Sequence, residues 1–312
     1  VGKKIPITPN FNILIDSQNL LRLDDELKKI NTYVEEKPLG DRMKEYESLT
    51  RFKLSKEYPM IIRLDGNAFH TFTRGFEKPF DKILREAMEE TAKFLLENIP
   101  GSQCAYHQSD EISILVTNYQ LSNREPWFDN NINKIVSITS SMATLAFNRS
   151  FLKKIKERIG IVDYNEARIY AEDSFVAKMD AIENGALFDS RVFILPKDEV
   201  VNYFIWRQQD AIKNSISMVA QSLFSHKSLQ GLNGPQMIKR MKDEKGIDYD
   251  KKYTVIERRG SITHRLKPME QTKVIRMKNG IEKEIRFTRS NWGIDDNIPV
   301  FKDERDYIEK FI

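Results

Sequence analysis

The chain has 312 residues, 40% of them hydrophobic and 31% charged, with a formal net charge of +4; these are the proportions of an ordinary globular protein with a sizeable core, built as one large domain or two smaller ones. Its one cysteine, Cys104, excludes an internal disulfide and any cysteine-rich zinc site. No apolar run approaches the roughly 18 residues of a membrane span, and no basic-then-apolar signal pattern opens the chain, so a cytoplasmic protein with no membrane contact is expected.

Residues 1–38 read as a separate leader with no assignable chemistry. It holds one amphipathic stretch over 20–30, with Leu20, Leu23, Leu27 and Ile30 at helical spacing. Residues 39–51 predict a helix with Met43, Tyr46 and Leu49 on one face. After Pro59, residues 60–64 form a short apolar run, a buried strand that ends in Asp65-Gly66. A polar, aromatic-studded loop covers 66–78, and Pro79 suits the first position of the next helix. Ile83, Leu84, Ala87, Met88, Phe94, Leu95 and Ile99 give that helix its 3.6 period until Pro100-Gly101 stops it. Strands over 104–108 and 112–116 flank Ser109-Asp110-Glu111, a hairpin with carboxylates at its tip. A helix over 134–147 follows, with Ile135, Ile138, Met142 and Leu145. The mixed, charged stretch 149–184 reads as an insertion. A fourth strand over 187–196 and a long helix over 198–223 come next. Beyond a loop at 231–235, the pattern predicts a short helix over 236–245, strands at 253–256, 274–277 and 285–288, and a closing helix over 303–311. Asn279-Gly280 suits a hairpin turn between the last two strands.

The order β-α-β-β-α-β defines an α+β, ferredoxin-like unit, an antiparallel sheet with both helices on one face. The domain reading is a leader at 1–38, a ferredoxin-like domain at 39–230 and a C-terminal α/β extension at 231–312. Within that extension, residues 251–290 hold 12 Lys/Arg against 4 Asp/Glu. Such a tract suits phosphate-backbone binding, and it equally suits a solvated lysine-rich surface.

Two readings fit Asp65. An Asp-Gly turn after a strand is common. A carboxylate at the end of a buried strand also asks for a positive partner. The strand order places Asp65 beside Asp110 and Glu111, and converging carboxylates stay ionised together only with cations between them. An all-oxygen site with open positions suits Mg²⁺, and two such ions about 4 Å apart can activate a hydroxyl and stabilise a leaving phosphate. The carbonyl of Gly66 is a further candidate ligand. The amides of 66–70 can cradle a triphosphate, with His70, Lys78 and Lys134 as charged donors. Taken singly, His70 reads better as a surface or packed histidine and Lys134 as a helix-start surface residue; their weight as donors comes only from a place beside the acids. No P-loop, dinucleotide fingerprint or zinc helix is present.

Several motifs in one order add to this reading. Arg63-Leu64-Asp65-Gly66-Asn67-Ala68-Phe69-His70, Phe76-Glu77-Lys78-Pro79-Phe80-Asp81, Gln108-Ser109-Asp110-Glu111, Phe188-Asp189-Ser190-Arg191-Val192 and Trp206-Arg207-Gln208-Gln209-Asp210 resemble the tRNA-histidine guanylyltransferase family, which includes the 3′-to-5′ RNA polymerases called Thg1-like proteins. The resemblance extends over about 39–312 and implies a polymerase-like palm with two Mg²⁺ ions. It implies that Asp65, the Gly66 carbonyl and Asp110 hold the metals. It also implies that Asp65, Gly66, Asn67, Ala68, Phe69, His70, Ser109 and Asp110 line the triphosphate site. Glu111 would then support the catalytic acids, and Lys78 and Lys134 would bind phosphate. The implied reaction extends a tRNA at its 5′ end after activation of the 5′ phosphate with ATP or GTP, in a homotetramer. Where the eukaryotic branch carries a histidine after the Trp-Arg-Gln-x-Asp motif, this chain has Ile212, which favours templated repair of 5′-truncated tRNA over addition of a single G. A palm-type nucleotide cyclase and a non-catalytic RNA-recognition module share the topology and stand as alternatives. The third strand lacks the stacking aromatics of the latter.

Overall fold

The computed structural model describes residues 37–117, 125–160, 168, 171–276 and 282–312. The stretch 20–30 and the Asn279-Gly280 turn lie outside the described residues. The chain divides into two units. One takes the described residues through Lys53 with Asn131–Asn133, and the other takes Leu54–Asn130 with Lys134–Ile312. In the first, α1 (Leu39–Ser48) buries none of its residues, and Lys53 bridges Asn131.

The elements that follow are β1 (Met60–Asn67), α2 (Lys82–Asn98), β2 (Ser102–Gln108), β3 (Glu111–Val116), α3 (Ile132–Ile159), α4 (Asp173–Asn184), β4 (Leu187–Ile194), α5 (Lys197–Leu223), α6 (Gly234–Lys245), β5 (Ser261–Arg265), β6 (Met269–Arg276), β7 (Glu282–Arg289) and β8 (Trp292–Asp295). One sheet runs β4-β1-β3-β2-β5-β8 with every pairing antiparallel, and β6 pairs with β7 apart from it. The first four strands carry the ferredoxin-like order expected from the sequence.

Side chains alternate across a strand, and both faces of this sheet are covered. Met60, Ile62 and Leu64 of β1 pack with Ile112 and Ile114 of β3 against Met88 and Leu95 of α2 and Phe147 and Phe151 of α3. Ile61, Tyr106 and Leu115 face the other way, onto Val200, Phe204 and Ala211 of α5 and onto Phe301 and Ile308. Helices α2 and α3 therefore share one face as expected, and α5 adds a layer on the opposite face. Burial from both sides explains why 60–64 carries apolar residues on both faces, with Arg63, committed to Glu111, as its one polar position.

Several boundaries differ from the sequence reading. Helix α3 runs on to Ile159, because Phe151 and Ile155 continue its buried stripe past the polar Asn148-Arg149-Ser150. The stretch 149–184 is thus the end of one helix and, from Asp173, another. Asp81 accepts from the Leu84 amide at 2.9 Å and caps α2, so the helix starts at Lys82 and not at Pro79. The strand expected at 253–256 is instead a five-residue helix, Val255–Arg259, opened by a Thr254/Glu257 capping box. The closing helix is shorter, Asp306–Glu309. Strands β5 and β8, absent from the sequence reading, extend the main sheet.

Candidate active site

The β1–β3 register places Asp65 directly opposite Glu111, and the Gly66 amide donates to the Asp110 carbonyl at 3.1 Å. The hairpin tip therefore closes onto the end of β1, and Asp65, Gly66, Ser109, Asp110 and Glu111 meet as the topology requires. Strand β4 sets a further acid, Asp189, opposite Asp65 on the other side. Burial pushes the Asp110 carboxyl up from the ordinary aspartate range, and the charges of Asp65 and Glu111 push the same way. A cation at this point reverses that balance.

Glu111 is held differently from the two aspartates. Its Oε2 accepts from Arg63 Nη2 at 2.8 Å, and Arg207 grips both oxygens, Nε to Oε1 at 2.7 Å and Nη2 to Oε2 at 2.9 Å. Arg207 also reaches Asp210 at 3.2 Å, and its guanidinium lies 4.3 Å from the Trp206 ring centre. Ser113, two residues on from Glu111, shares a 2.7 Å hydrogen bond with Tyr203, whose hydroxyl burial pushes up to about 12. Glu111 is thus clamped between β1 and α5. Asp65 lies 3.7 Å from Arg63, outside hydrogen-bond range. Of the three acids expected at the site, Asp65 and Asp110 are the ones left for chemistry.

The loop after β1 stands on an aromatic floor. Ala68 takes a left-handed φ of 54° and opens a helical turn, Phe69–Phe72. The Phe69 ring sits 5.5 Å from Phe147 and 5.2 Å from Phe188, both edge-on. A Cβ at Gly66 would stand 2.2 Å from the Phe69 ring, so glycine is what lets the backbone pass over it. The amides of Phe69 and His70 open the turn and have no partner within it. His70 is exposed, with Nε2 3.1 Å from Thr71 Oγ1.

A cavity of about 410 Å³ adjoins the acids. His70, Lys78, Ser109 and Asp110 line it together with Phe76, Pro79, Phe80, Leu84, Met218 and Ile256 as its apolar walls, and with Arg85 and Glu257. Asn67 lines a separate hollow with Asp189 and Arg149. Lys134 is exposed on α3, its ammonium 5.9 Å from the Phe128 ring centre, and lines neither hollow. The wall loop is anchored by a buried ion pair: Lys178 of α4, 1% exposed, reaches Asp81 at 2.7 Å. Sequence reasoning missed Arg85, Glu257, Met218 and Ile256, because nothing local marks residues so far apart as neighbours.

Among the described residues, no group of three or more His, Cys, Asp or Glu is spaced to hold a metal by side chains alone. Two aspartates and the Gly66 carbonyl are hard oxygen donors that leave coordination positions for phosphate and water. That set fits Mg²⁺, which is commonly bound by one or two carboxylates plus substrate phosphates.

The sequence model of the family described as tRNAHis guanylyltransferase matches residues 40–196, half of the chain. The chain belongs to the tRNA-histidine guanylyltransferase family. It is accordingly a nucleotidyltransferase of that family. A bacterial tRNA(His) guanylyltransferase (Thg1)-like protein in complex with ATP is 41% identical, with a TM-score of 0.68, over 88% of this chain and 99% of its own. A bacterial tRNA(His) guanylyltransferase (Thg1)-like protein in complex with GTP is 40% identical, with a TM-score of 0.63, over 88% of this chain and 98% of its own. The tRNA(His) guanylyltransferase of the yeast Debaryomyces hansenii is 28% identical over 160 residues, half of this chain and 51% of the yeast protein. The chain thus spans about half the length of that curated guanylyltransferase.

Proposed function

We propose that this protein is a Mg²⁺-dependent nucleotidyltransferase that extends tRNA at its 5′ end in the 3′-to-5′ direction, repairing 5′-truncated tRNA against a template. The observation that carries this reading is the Asp65–Asp110 pair, closed together by the Gly66–Asp110 hydrogen bond beside a nucleoside-sized cavity. Asp65, Asp110 and the Gly66 carbonyl would hold the ions. When bound, Mg²⁺ supplies activation of an attacking hydroxyl and charge stabilisation of a leaving phosphate.

The chain's own residues bind and orient the reactants. The amides at Phe69 and His70, with Lys78, take the triphosphate of ATP or GTP, and the cavity takes its base. Glu111, clamped by Arg63 and Arg207, holds the hairpin tip against β1 and so fixes the separation of Asp65 and Asp110. The 5′ monophosphate of the RNA is first activated by ATP or GTP with loss of pyrophosphate. The 3′ hydroxyl of the incoming nucleotide then attacks that phosphorus, and the activating nucleotide leaves. Residues 39–230 act as the palm, the basic tract at 251–290 carries RNA phosphates, and the chain works as a homotetramer. The bacterial structures with ATP and with GTP support the nucleotide reading.

Templated repair is preferred over single-G addition because Ile212 joins an apolar cluster with Ile216, Met241 and Tyr249. That position offers no polar contact to an RNA. The test compares 5′-truncated tRNAs with full-length tRNA-histidine, using labelled nucleotides, ATP and Mg²⁺. Extension of the truncated panel is expected. Addition only to intact tRNA-histidine replaces repair with the guanylyltransferase activity, and cyclic product without RNA replaces both with a cyclase.

A further inference from the structure

Arg85 and Glu257 stand at the wall of the 410 Å³ cavity, away from any assigned role. Arg85 projects from α2, and its guanidinium makes no hydrogen bond among the described residues. Its Nε is buried and unpartnered, and its two carboxylate neighbours stay just outside bonding range, Glu89 at 3.6 Å and Glu257 at 4.0 Å. Glu257 uses Oε2 to cap its helix, accepting from the Thr254 amide at 2.9 Å and hydroxyl at 2.8 Å. Its Oε1, the oxygen nearest Arg85, accepts no hydrogen bond among the described residues. Both side chains are a third exposed or less. A forked donor and a carboxylate acceptor, side by side and unsatisfied in an apolar cavity, call for a ligand edge that presents an acceptor next to a donor.

A phosphate does not meet that demand. It suits Arg85, but Glu257 and Glu89 flank the guanidinium and repel an anion. A neutral heterocycle with adjacent acceptor and donor suits both groups. The Watson–Crick edge of guanine presents O6 as acceptor, then N1–H and the N2 amine as donors. Adenine presents the reverse order, an N6 amine and then the N1 lone pair, and would set donor against Arg85 and acceptor against Glu257. His107, which also lines this cavity, commits its Nε2 to Ser261 Oγ.

We propose that Arg85 and Glu257 read the guanine edge of the nucleotide in this cavity, Arg85 donating to O6 and Glu257 Oε1 accepting from N1–H and the N2 amine, and so give the site preference for GTP over ATP. This rests on the nucleotide-site reading above. The test is equilibrium binding of GTP, ITP and ATP with Mg²⁺ to the full chain, comparing wild type with R85M and E257Q. The glutamine keeps an oxygen for the Thr254 cap. Wild type should bind GTP at least about tenfold tighter than ATP, with ITP, which lacks the N2 amine, between them. R85M and E257Q should each weaken GTP by about tenfold and leave ATP within about twofold, so that the preference disappears. Equal binding of GTP and ATP by wild type overturns the proposal and leaves the nucleotide site standing. Equal weakening of both nucleotides by both variants overturns it too, and reduces Arg85 and Glu257 to wall-building. No binding of either nucleotide by wild type overturns the site reading itself. If R85M fails to fold, E257Q carries the test alone.

Discussion

Arg207 and Glu111 are joined by a two-pronged ion pair, Nε to Oε1 at 2.7 Å and Nη2 to Oε2 at 2.9 Å, across the gap between α5 and the start of β3. Both side chains are largely withdrawn from water, 8% and 16% exposed. Removing one partner strands the other in a poorly solvated place. Arg207→Ala is therefore expected to cost about 3 kcal/mol in urea unfolding, somewhat softened by Arg63, which still holds Glu111. Arg207→Lys should fall in between, because a point charge does not reproduce the fork. A wild-type unfolding curve for Arg207→Ala would show that the clamp contributes nothing.

Asp65 and Asp110 should behave in the opposite way. Burial and like charge disfavour the ionised Asp110 carboxyl, so neutralising either acid removes a strain on the fold. Asp65→Asn and Asp110→Asn are expected to melt at or above the wild-type temperature and to lose at least about a hundredfold in nucleotidyl transfer. Mg²⁺ should raise the melting temperature of wild type and leave both variants unmoved. Full transfer activity in either variant removes that residue from the metal set.

Much of this arrangement could be read in the sequence because its signals are local. The 60–64 run is apolar at every position but Arg63 since the sheet is covered on both faces, and the hairpin acids sit between two short strands. From there the β-α-β-β-α-β order alone brings Asp65 to Asp110. What escaped was non-local or disguised. β5 is Ser-Ile-Thr-His-Arg, with Ile262 its one apolar residue, and only its pairing with β2 makes it a strand. The cavity draws walls from α2, the hairpin, α5 and the helix before β5, and no spacing rule links these segments. Lys178 lies in a charged stretch that read as an insertion, although its side chain is among the largest fully buried ones of the described residues.

That lysine gives the next expectation. Lys178 reaches Asp81, whose other oxygen caps α2 through the Leu84 amide. Lys178→Met leaves a buried carboxylate without its counter-ion and should cost about 3 kcal/mol. Adding Asp81→Asn keeps a capping oxygen and removes the orphaned charge, so the double variant should recover most of the loss. Chemical denaturation of the two single variants and the double variant measures this. A double variant no more stable than Lys178→Met would mean that packing, not charge, is what Lys178 supplies.

Gly260 ends the helix before β5 at φ +80°, and a Cβ there would stand 2.5 Å from the His107 carbonyl oxygen. Backbone is what it would strike, so no rotamer change relieves the contact, and the conformation itself is open to glycine almost alone. Gly260→Ala is expected to cost at least about 2 kcal/mol and to loosen the β2–β5 pairing, which hydrogen exchange at Ser261 to His264 would report as faster exchange. Unchanged protection there would mean that the turn shifts freely.

His107 makes the fold sensitive to acid. Its ring is buried on β2 and bonded to Ser261; burial, with the nearby Arg85 charge, holds its pKa down to about 4 against an ordinary value of 6.5. Between these two values the unfolded chain binds a proton that the native ring refuses, so unfolding becomes easier as pH falls through that window. The contribution is intact above about pH 6.5, and about 3 kcal/mol is lost once the pH is below about 4. His107→Gln keeps a side-chain partner for Ser261 Oγ and has no proton to gain. Carboxylates add their own acid dependence equally to both proteins, so the difference between the two stability curves isolates the histidine. Wild type should lose about 3 kcal/mol more than His107→Gln between pH 7 and pH 4 in denaturant unfolding. Parallel curves would mean that the ring takes up its proton in the folded state without penalty.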